Sequence, residues 1–378
     1  MADTVEPEHF DIGSVHTGLL DCIQVNLAVL ADHHYGPGAH LRLGASLDFR
    51  CWERADGLPT VDPPLTEHLN TLPAALGLQV VRRECLPRAE LLAAIAERGG
   101  TWYVVADSFH LPWLPYHRQA HMDHSFLLAA GPDGWRVTDA YRSETQWGPA
   151  VPGHWTPAEE DLAGIESAEL IELVAVGAKP VSELPPTLTS DEATVAAYLA
   201  AYDACADRER AVEQLTVETW LLARARKLHA KYRALFADRA DRTEAEEGHL
   251  RAWDKVVEQT YLAHRRVSRG HAEPPGVVDR LRQALAGDRT LLGVAPAGHP
   301  ATDDALRHRV AAVAGAVLGV GEAELLGGAP LDSFASFSSF RLIEIIERLE
   351  SELEREFDAD ELIPENLRRL DDLCRIAR

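Results

Sequence analysis

Residues His121 to Asp139 read HMDHSFLLAAGPDGWRVTD, and this stretch sets the reading of the first half of the chain. His124 heads the apolar run Ser125 to Ala130, a Gly-Pro-Asp-Gly turn follows, and Trp135-Arg136-Val137-Thr138 leads back to Asp139. Apolar runs on either side of such a turn form a β-hairpin. The antiparallel return brings the residue before the first strand beside the residue after the second, so His124 and Asp139 become neighbours. A carboxylate beside an imidazole fixes its tautomer and stabilises its protonated form, which supplies two parts of a nucleophilic triad.

Upstream, the segment Leu20 to Ala31 (LDCIQVNLAVLA) carries apolar residues at helical spacing and places Cys22 in the first turn. The positive end of a helix and a nearby histidine lower a thiol's pKa and yield a thiolate near neutral pH. By position alone Cys22 is equally a small buried hydrophobe. Leu65 to Leu76 and Arg88 to Arg98 read as helices, and Thr101 to Ala106 as a buried strand. Asp107 then opens a loop, Ser108 to His117, that is stiffened by two prolines and rich in aromatics, the type of rim that lines a pocket. His117, His121 and His124, with Asp107 and Asp123, are the residues a metal would use. The loop-to-strand spacing of His121 and His124, without a matching acidic or cysteine motif, argues against that, and no metal is expected.

The 378 residues exceed what a single core usually holds, so two or three domains are expected. A net charge of −23 argues against nucleic acid or an anionic membrane surface as partner. Neither a basic, apolar leader nor a membrane-length apolar run is visible, and a cytoplasmic protein is expected. The five cysteines (22, 51, 85, 205 and 374) are scattered, without the spacing of a disulfide framework or zinc site.

Taken together, a cysteine at a helix start, Asp107 with Leu114-Pro115-Tyr116-His117, and His121-x-x-His124 before an apolar strand, a turn and Asp139 resemble the N-terminal domain of butirosin biosynthesis protein H. The resemblance covers roughly Phe10 to Ala140. It implies an α/β (α+β) papain-like cysteine-protease-type domain, assigned to residues 10–176, that transfers acyl groups from carrier-protein thioesters to amines. It also implies Cys22 as nucleophile, His124 as general base and Asp139 as its orienter. The glutamine that papain-like enzymes often place six residues before the cysteine is His16 here, so His16 takes its place as oxyanion candidate. Asp107, Tyr116 and His121 are the pocket candidates, and Leu43 to Phe49 resembles the family's glycine-and-aromatic segment, expected as a pocket-wall loop.

Gly177 to Asp191 is polar and proline-rich, the composition of a linker. From Glu192 to Leu285 apolar residues recur at helical spacing with breaks near 238–241 and 270–276, giving about four helices in a helical middle module, 190–288. Trp220, His229, Lys231, Tyr232, Trp253, Tyr261 and His264 are expected there as packing residues. After a Pro/Gly/Ala-rich connection (290–301), Asp303 to Leu318 and Ser339 to Glu356 read as amphipathic helices, with two short ones between Pro364 and Ala377.

This acidic unit, 302–378, resembles an acyl carrier protein, a four-helix bundle bearing covalent 4'-phosphopantetheine. Asp332-Ser333 matches the carrier's dipeptide, whereas the register of SFRLIEIIERLESELEREF points to Ser339. Ser339 is the chosen attachment residue, with Ser333 second. The combined expectation is an enzyme: a carrier-dependent, amide-forming acyltransferase (or aminoacyl- or aryl-transferase) of specialised metabolism. Its partners would be an acyl-loading ligase, a phosphopantetheinyl transferase and a small-molecule amine. A thioesterase or cysteine hydrolase, and a non-catalytic carrier scaffold, are the alternatives.

Overall fold

The computed structural model describes residues 10–132, 134–177, 184–237, 242–293, 304–326, 330–334, 336–353, 357, 367 and 369–377. Its first long element is helix α1 (Gln24–Tyr35). Asp21 starts it: the carboxylate accepts from the amides of Ile23 and Gln24 at 2.8 and 2.7 Å, satisfying donors that a helix end leaves open. Cys22 therefore lies in the turn that leads into α1, two residues ahead of the helix rather than within its first turn as expected. The helix outlasts the expected Leu20 to Ala31 and stops where Gly36 takes φ +96°. Residues Val25 to Asp32 are buried all round, so α1 is an internal helix rather than a half-exposed one.

Strands β1 (Ser46–Phe49), β2 (Trp52–Glu53) and β3 (Pro59–Thr60) precede helix α2 (Leu65–Ala75). Then come β4 (Leu78–Pro87), α3 (Arg88–Arg98), β5 (Thr101–Asp107), β6 (Asp123–Gly131) and β7 (Gly134–Asp139). The remaining strands are β8 (Ser143–Thr145), β9 (Gly148–Ala150), β10 (Gly153–Trp155), β11 (Ser167–Ala175) and β12 (Thr187–Ser190). Six of them form one antiparallel sheet in the order β10-β7-β6-β5-β11-β4. Burial runs without alternation along the middles of β5 and β6, so both faces of the sheet centre are covered. The fold is a mixed α and β one.

The hairpin of residues 121–139 is β6 and β7, with Leu127 opposite Thr138 and Gly131 opposite Gly134. His124 lies inside the first strand rather than ahead of it, because β5 extends the pairing to Asp107 opposite Asp123. Part of the expected linker is also a strand: Thr187–Ser190 pairs in parallel with Ser46–Phe49, which makes the 43–49 stretch a short helical turn and strand instead of a loop. Residues 178–183 of that linker lie outside the described residues.

Helices α4 (Glu192–Ala204), α5 (Arg208–Phe236), α6 (Glu244–Val267) and α7 (Val277–Leu291) follow, at about the expected positions; 238–241 lie outside the described residues. They belong to the same compact unit as the sheet, residues 1–296. Trp253 and His229 are fully buried, while Tyr261 is exposed, against expectation, on the outer face of α6. The contact between α5 and the first part of the chain is close at Gly44, where a Cβ would stand 2.7 Å from the Leu228 carbonyl oxygen. His229, one residue on, reaches the Gly44 carbonyl with Nδ1 at 2.7 Å.

The second compact unit, 297–378, holds α8 (Asp304–Leu318), α9 (Glu322–Leu326), α10 (Ser339–Leu353) and α11 (Leu370–Ile376). It has its own apolar core, which includes Val310, Val317, Leu325, Ile345, Leu349 and Leu373. Much of the 290–301 connection, the end of the expected 339–356 helix, and the segment from Pro364 to 366 lie outside the described residues. Among the described residues no helix is long and apolar enough to cross a membrane.

Gly44→Ala places a methyl group against backbone that cannot rotate away. Overpacking of this kind costs about 1–3 kcal/mol. Urea unfolding of the full chain is expected to show that loss, whereas alanine at Gly18, with open space around its Cβ position, leaves the midpoint nearly unchanged.

Candidate active site

Asp139 ends β7 and is buried, and four donors converge on its carboxylate. His124 Nε2 and Trp113 Nε1 approach Oδ2 at 2.7 and 3.1 Å, while the Tyr141 amide and Asn26 Nδ2 approach Oδ1 at 3.0 and 3.3 Å. Burial opposes ionisation, but the charge and hydrogen bond of His124, with the Tyr141 and Asn26 donors, outweigh it and hold the carboxyl below its usual range. The expected pairing of His124 with Asp139 is thus present.

With Nε2 committed to Asp139, Nδ1 is the ring nitrogen left for proton exchange. That atom is buried and has no hydrogen-bond partner among the described residues. It is the part of a histidine that an acid-base role requires to be open. The edge of Tyr141 packs on the imidazole with ring centroids 5.1 Å apart, and the Tyr141 hydroxyl meets that of Tyr116 at 3.2 Å. Tyr116 therefore supports the dyad through Tyr141.

Cys22 stands beside this group. Its Sγ lies 3.4 Å from the carbonyl oxygen of Asp123, the residue preceding His124, and its own carbonyl accepts from Ser125 Oγ at 2.5 Å. The Tyr103 hydroxyl holds the next carbonyl, that of Ile23, at 2.8 Å. One turn along α1, Asn26 donates to the Ser125 carbonyl at 2.8 Å and accepts from the Ala140 amide at 3.0 Å. These bonds tie the start of α1 to both strands of the hairpin. From the middle helices, Arg224 reaches the carbonyls of Thr17, Leu20 and Arg142 and lies over the Trp220 ring, 4.1 Å from its centroid.

The expectation of a ready thiolate is corrected. Burial, then the charges of Asp21, Asp62 and Asp139, push the Cys22 thiol well above its ordinary value. Asp62 keeps an exposed edge, but desolvation by the surrounding protein and the charges of Asp21, Glu218 and Asp123 raise it to about 7.

The other candidates are arranged differently. His121, largely exposed, pairs with Asp107 at 2.6 Å and stacks on Phe109, so these two satisfy each other. His16 is not joined to Cys22 by any described hydrogen bond. Its amide and Nδ1 meet His40 Nε2 at 3.1 and 3.0 Å, and His40 Nδ1 meets Asp32 at 2.9 Å. This chain absorbs the side chain that the sequence offered to an oxyanion. Desolvation, with His40 and Lys231, also lowers the pKa of His16. Among the described residues no group of three or more His, Cys, Asp or Glu side chains is gathered to hold a metal.

In the second unit, α10 begins at Ser339, the position the register selected. Ser338 caps it, its Oγ accepting from the Arg341 amide at 3.3 Å. Ser333 belongs to a short 3-10 turn, with its hydroxyl donating to the Pro330 carbonyl at 2.5 Å.

Asn26, Trp113, Ser125, Tyr141 and Arg224 were not singled out as site residues from the sequence. Asn26 had a legible signal, a polar residue at i+4 from Cys22 within the mainly apolar run Val25 to Ala31; the others depend on tertiary placement. Comparison with known proteins finds no matching family model and no matching curated protein.

The alkylation rate of Cys22 by iodoacetamide is expected to rise through a midpoint above the ordinary cysteine pKa of about 8.5. Asp62→Asn removes a negative charge and moves that midpoint down. A wild-type midpoint near or below neutral would contradict the arrangement of charges described.

Proposed function

We propose that the chain is a carrier-dependent acyltransferase of specialised metabolism, moving an acyl group from a carrier-bound thioester through Cys22 to an amine. The observation that carries this reading is the buried His124–Asp139 pair, at 2.7 Å, whose free Nδ1 belongs to the strand against which Cys22 rests. The reading assigns residues 10–176 to a papain-like domain and 302–378 to a four-helix acyl carrier, with 190–288 as a helical module.

The attachment residue is Ser339, the first residue of α10, rather than Ser333, whose hydroxyl is already engaged. A phosphate at a helix start is favoured by the helix dipole and open amides. Phosphopantetheine, when attached, supplies the thiol that carries the acyl group. A carrier on the same chain keeps that donor at high effective concentration.

In the acylation step His124 Nδ1 takes the Cys22 proton as Sγ attacks the thioester carbonyl. The C–S bond to the donor breaks, and His124 returns the proton to the departing thiolate. In the second step the amine nitrogen attacks the acyl-Cys22 carbonyl while His124 accepts a proton from it. The bond to Sγ breaks, the amide leaves, and the proton goes back to Cys22. General base assistance is required because the resting thiol is protonated. With His16 engaged elsewhere, the oxyanion falls to the Cys22 backbone N–H at the open end of α1. The negative surroundings of the thiol suit a cationic acceptor. A separate ligase loads the carrier and a phosphopantetheinyl transferase primes it.

The test is reconstitution. Treatment with a phosphopantetheinyl transferase is expected to add one phosphopantetheine to the wild type and to Ser333→Ala, but not to Ser339→Ala. With an acyl group loaded and a polyamine or aminosugar supplied, amide should form, and Cys22→Ala should lower its rate by roughly a thousandfold or more. Hydrolysis with no amide from any acceptor would replace the transferase by a thioesterase, and full activity in Cys22→Ala would leave only a carrier scaffold.

A further inference from the structure

A cavity of about 570 Å³ lies between α1, α2, β1 and α5, with Asp21 and Gln24, on either side of the Cys22-Ile23 pair, in its wall. Volumes of about 300–1,000 Å³ are those of sites that enclose small organic ligands. Most of its surface is hydrocarbon, from Leu27, Leu43, Phe49, Leu72, Leu222 and Ala225. Leu222 and Ala225 come from α5, so the middle helices complete a chamber that the sheet and α1 leave open on one side.

The arginines in the wall are engaged within the protein. Arg42 donates to the Ala75 carbonyl at 3.0 Å, Arg50 pairs with Glu67 at 3.2 Å, and Arg226 with Asp288 at 2.8 Å. Arg224 is taken up by three backbone carbonyls. His68, buried in the same wall, has its pKa lowered by desolvation and is a neutral imidazole with no partner at Nε2. The carboxylates of Asp21 and Asp48, which form no ion pair among the described residues, disfavour an anionic ligand. The wall's remaining attraction is for apolar surface, at about 25 cal/mol per Å² removed from water.

We infer that this cavity is the acyl-donor pocket and that the acyl group it accepts has a hydrocarbon body, well beyond acetyl in size. The inference rests on the reading of Cys22 as the residue that receives the acyl group, and it adds the class of that group. The thioester carbonyl sits at Cys22, just outside the wall, and the acyl body passes Gln24 into the space between α2 and α5.

Binding to the full-length Cys22→Ala chain tests this apart from turnover. The probes are octanoyl- and acetyl-N-acetylcysteamine, read through the fluorescence of Trp52, which lines the cavity. The octanoyl thioester is expected to bind at least tenfold more tightly than the acetyl one. Ala225→Phe and Leu221→Trp, two half-buried wall positions chosen so that one folded variant suffices, are expected to erase that preference. Equal affinities in Cys22→Ala, or a preference that survives both substitutions in chains with an unchanged circular dichroism melt, would overturn the assignment. A wild type that binds octanoyl selectively but never becomes acylated would instead overturn the catalytic reading and leave the pocket standing.

Discussion

The carboxylate of Asp139 is the point on which the first unit depends. A buried charge is tolerated only when donors surround it, and here they come from four places: helix α1 through Asn26, the aromatic loop through Trp113, strand β6 through His124, and the backbone after β7 through Tyr141. Each donor belongs to a different segment, so satisfying one charge fixes their mutual positions. The same network that would be costly if broken also orients the imidazole. Stability and chemical competence are therefore coupled at this residue.

The electrostatics of the site separate its two chemical partners. Donors around Asp139 keep it ionised, and the resulting negative charge, with those of Asp21 and Asp62, keeps Cys22 protonated. A thiol in that condition resists adventitious oxidation and alkylation, since the thiolate is the reactive form. In the proposed cycle it becomes nucleophilic only as His124 removes its proton during attack. The middle helices add to this control by presenting Arg224 to the turn before Cys22 and by walling the cavity beside it.

The pairing of His124 with Asp139 was legible because turn chemistry and strand register are local: the Gly-Pro-Asp-Gly segment and the apolar run determine which ends meet. The place of Cys22 at the entry to α1 was legible from helical spacing, although the helix itself begins two residues later. The engagement of His16 was not legible because its place in the chain said nothing of His40, which the turn after α1 brings to it, or of Asp32 in the last turns of α1. The raised pKa of Cys22 was missed because burial, its largest cause, and the nearness of Asp62 and Asp139 arise only in the fold, while the charge of Asp21, next in the chain, was not weighed. Strand β12 was hidden in a segment composed like a linker, because its pairing with β1 depends on a partner some 140 residues away.

The most direct measurement is the site of covalent attachment during turnover. The wild-type chain is mixed with octanoyl-N-acetylcysteamine, quenched in acid within seconds, digested and analysed by mass spectrometry. The account requires an octanoyl group on the peptide containing Cys22, with the adduct accumulating far more slowly in His124→Ala. An adduct on another cysteine, or amide product that accumulates with Cys22 never acylated, would contradict it.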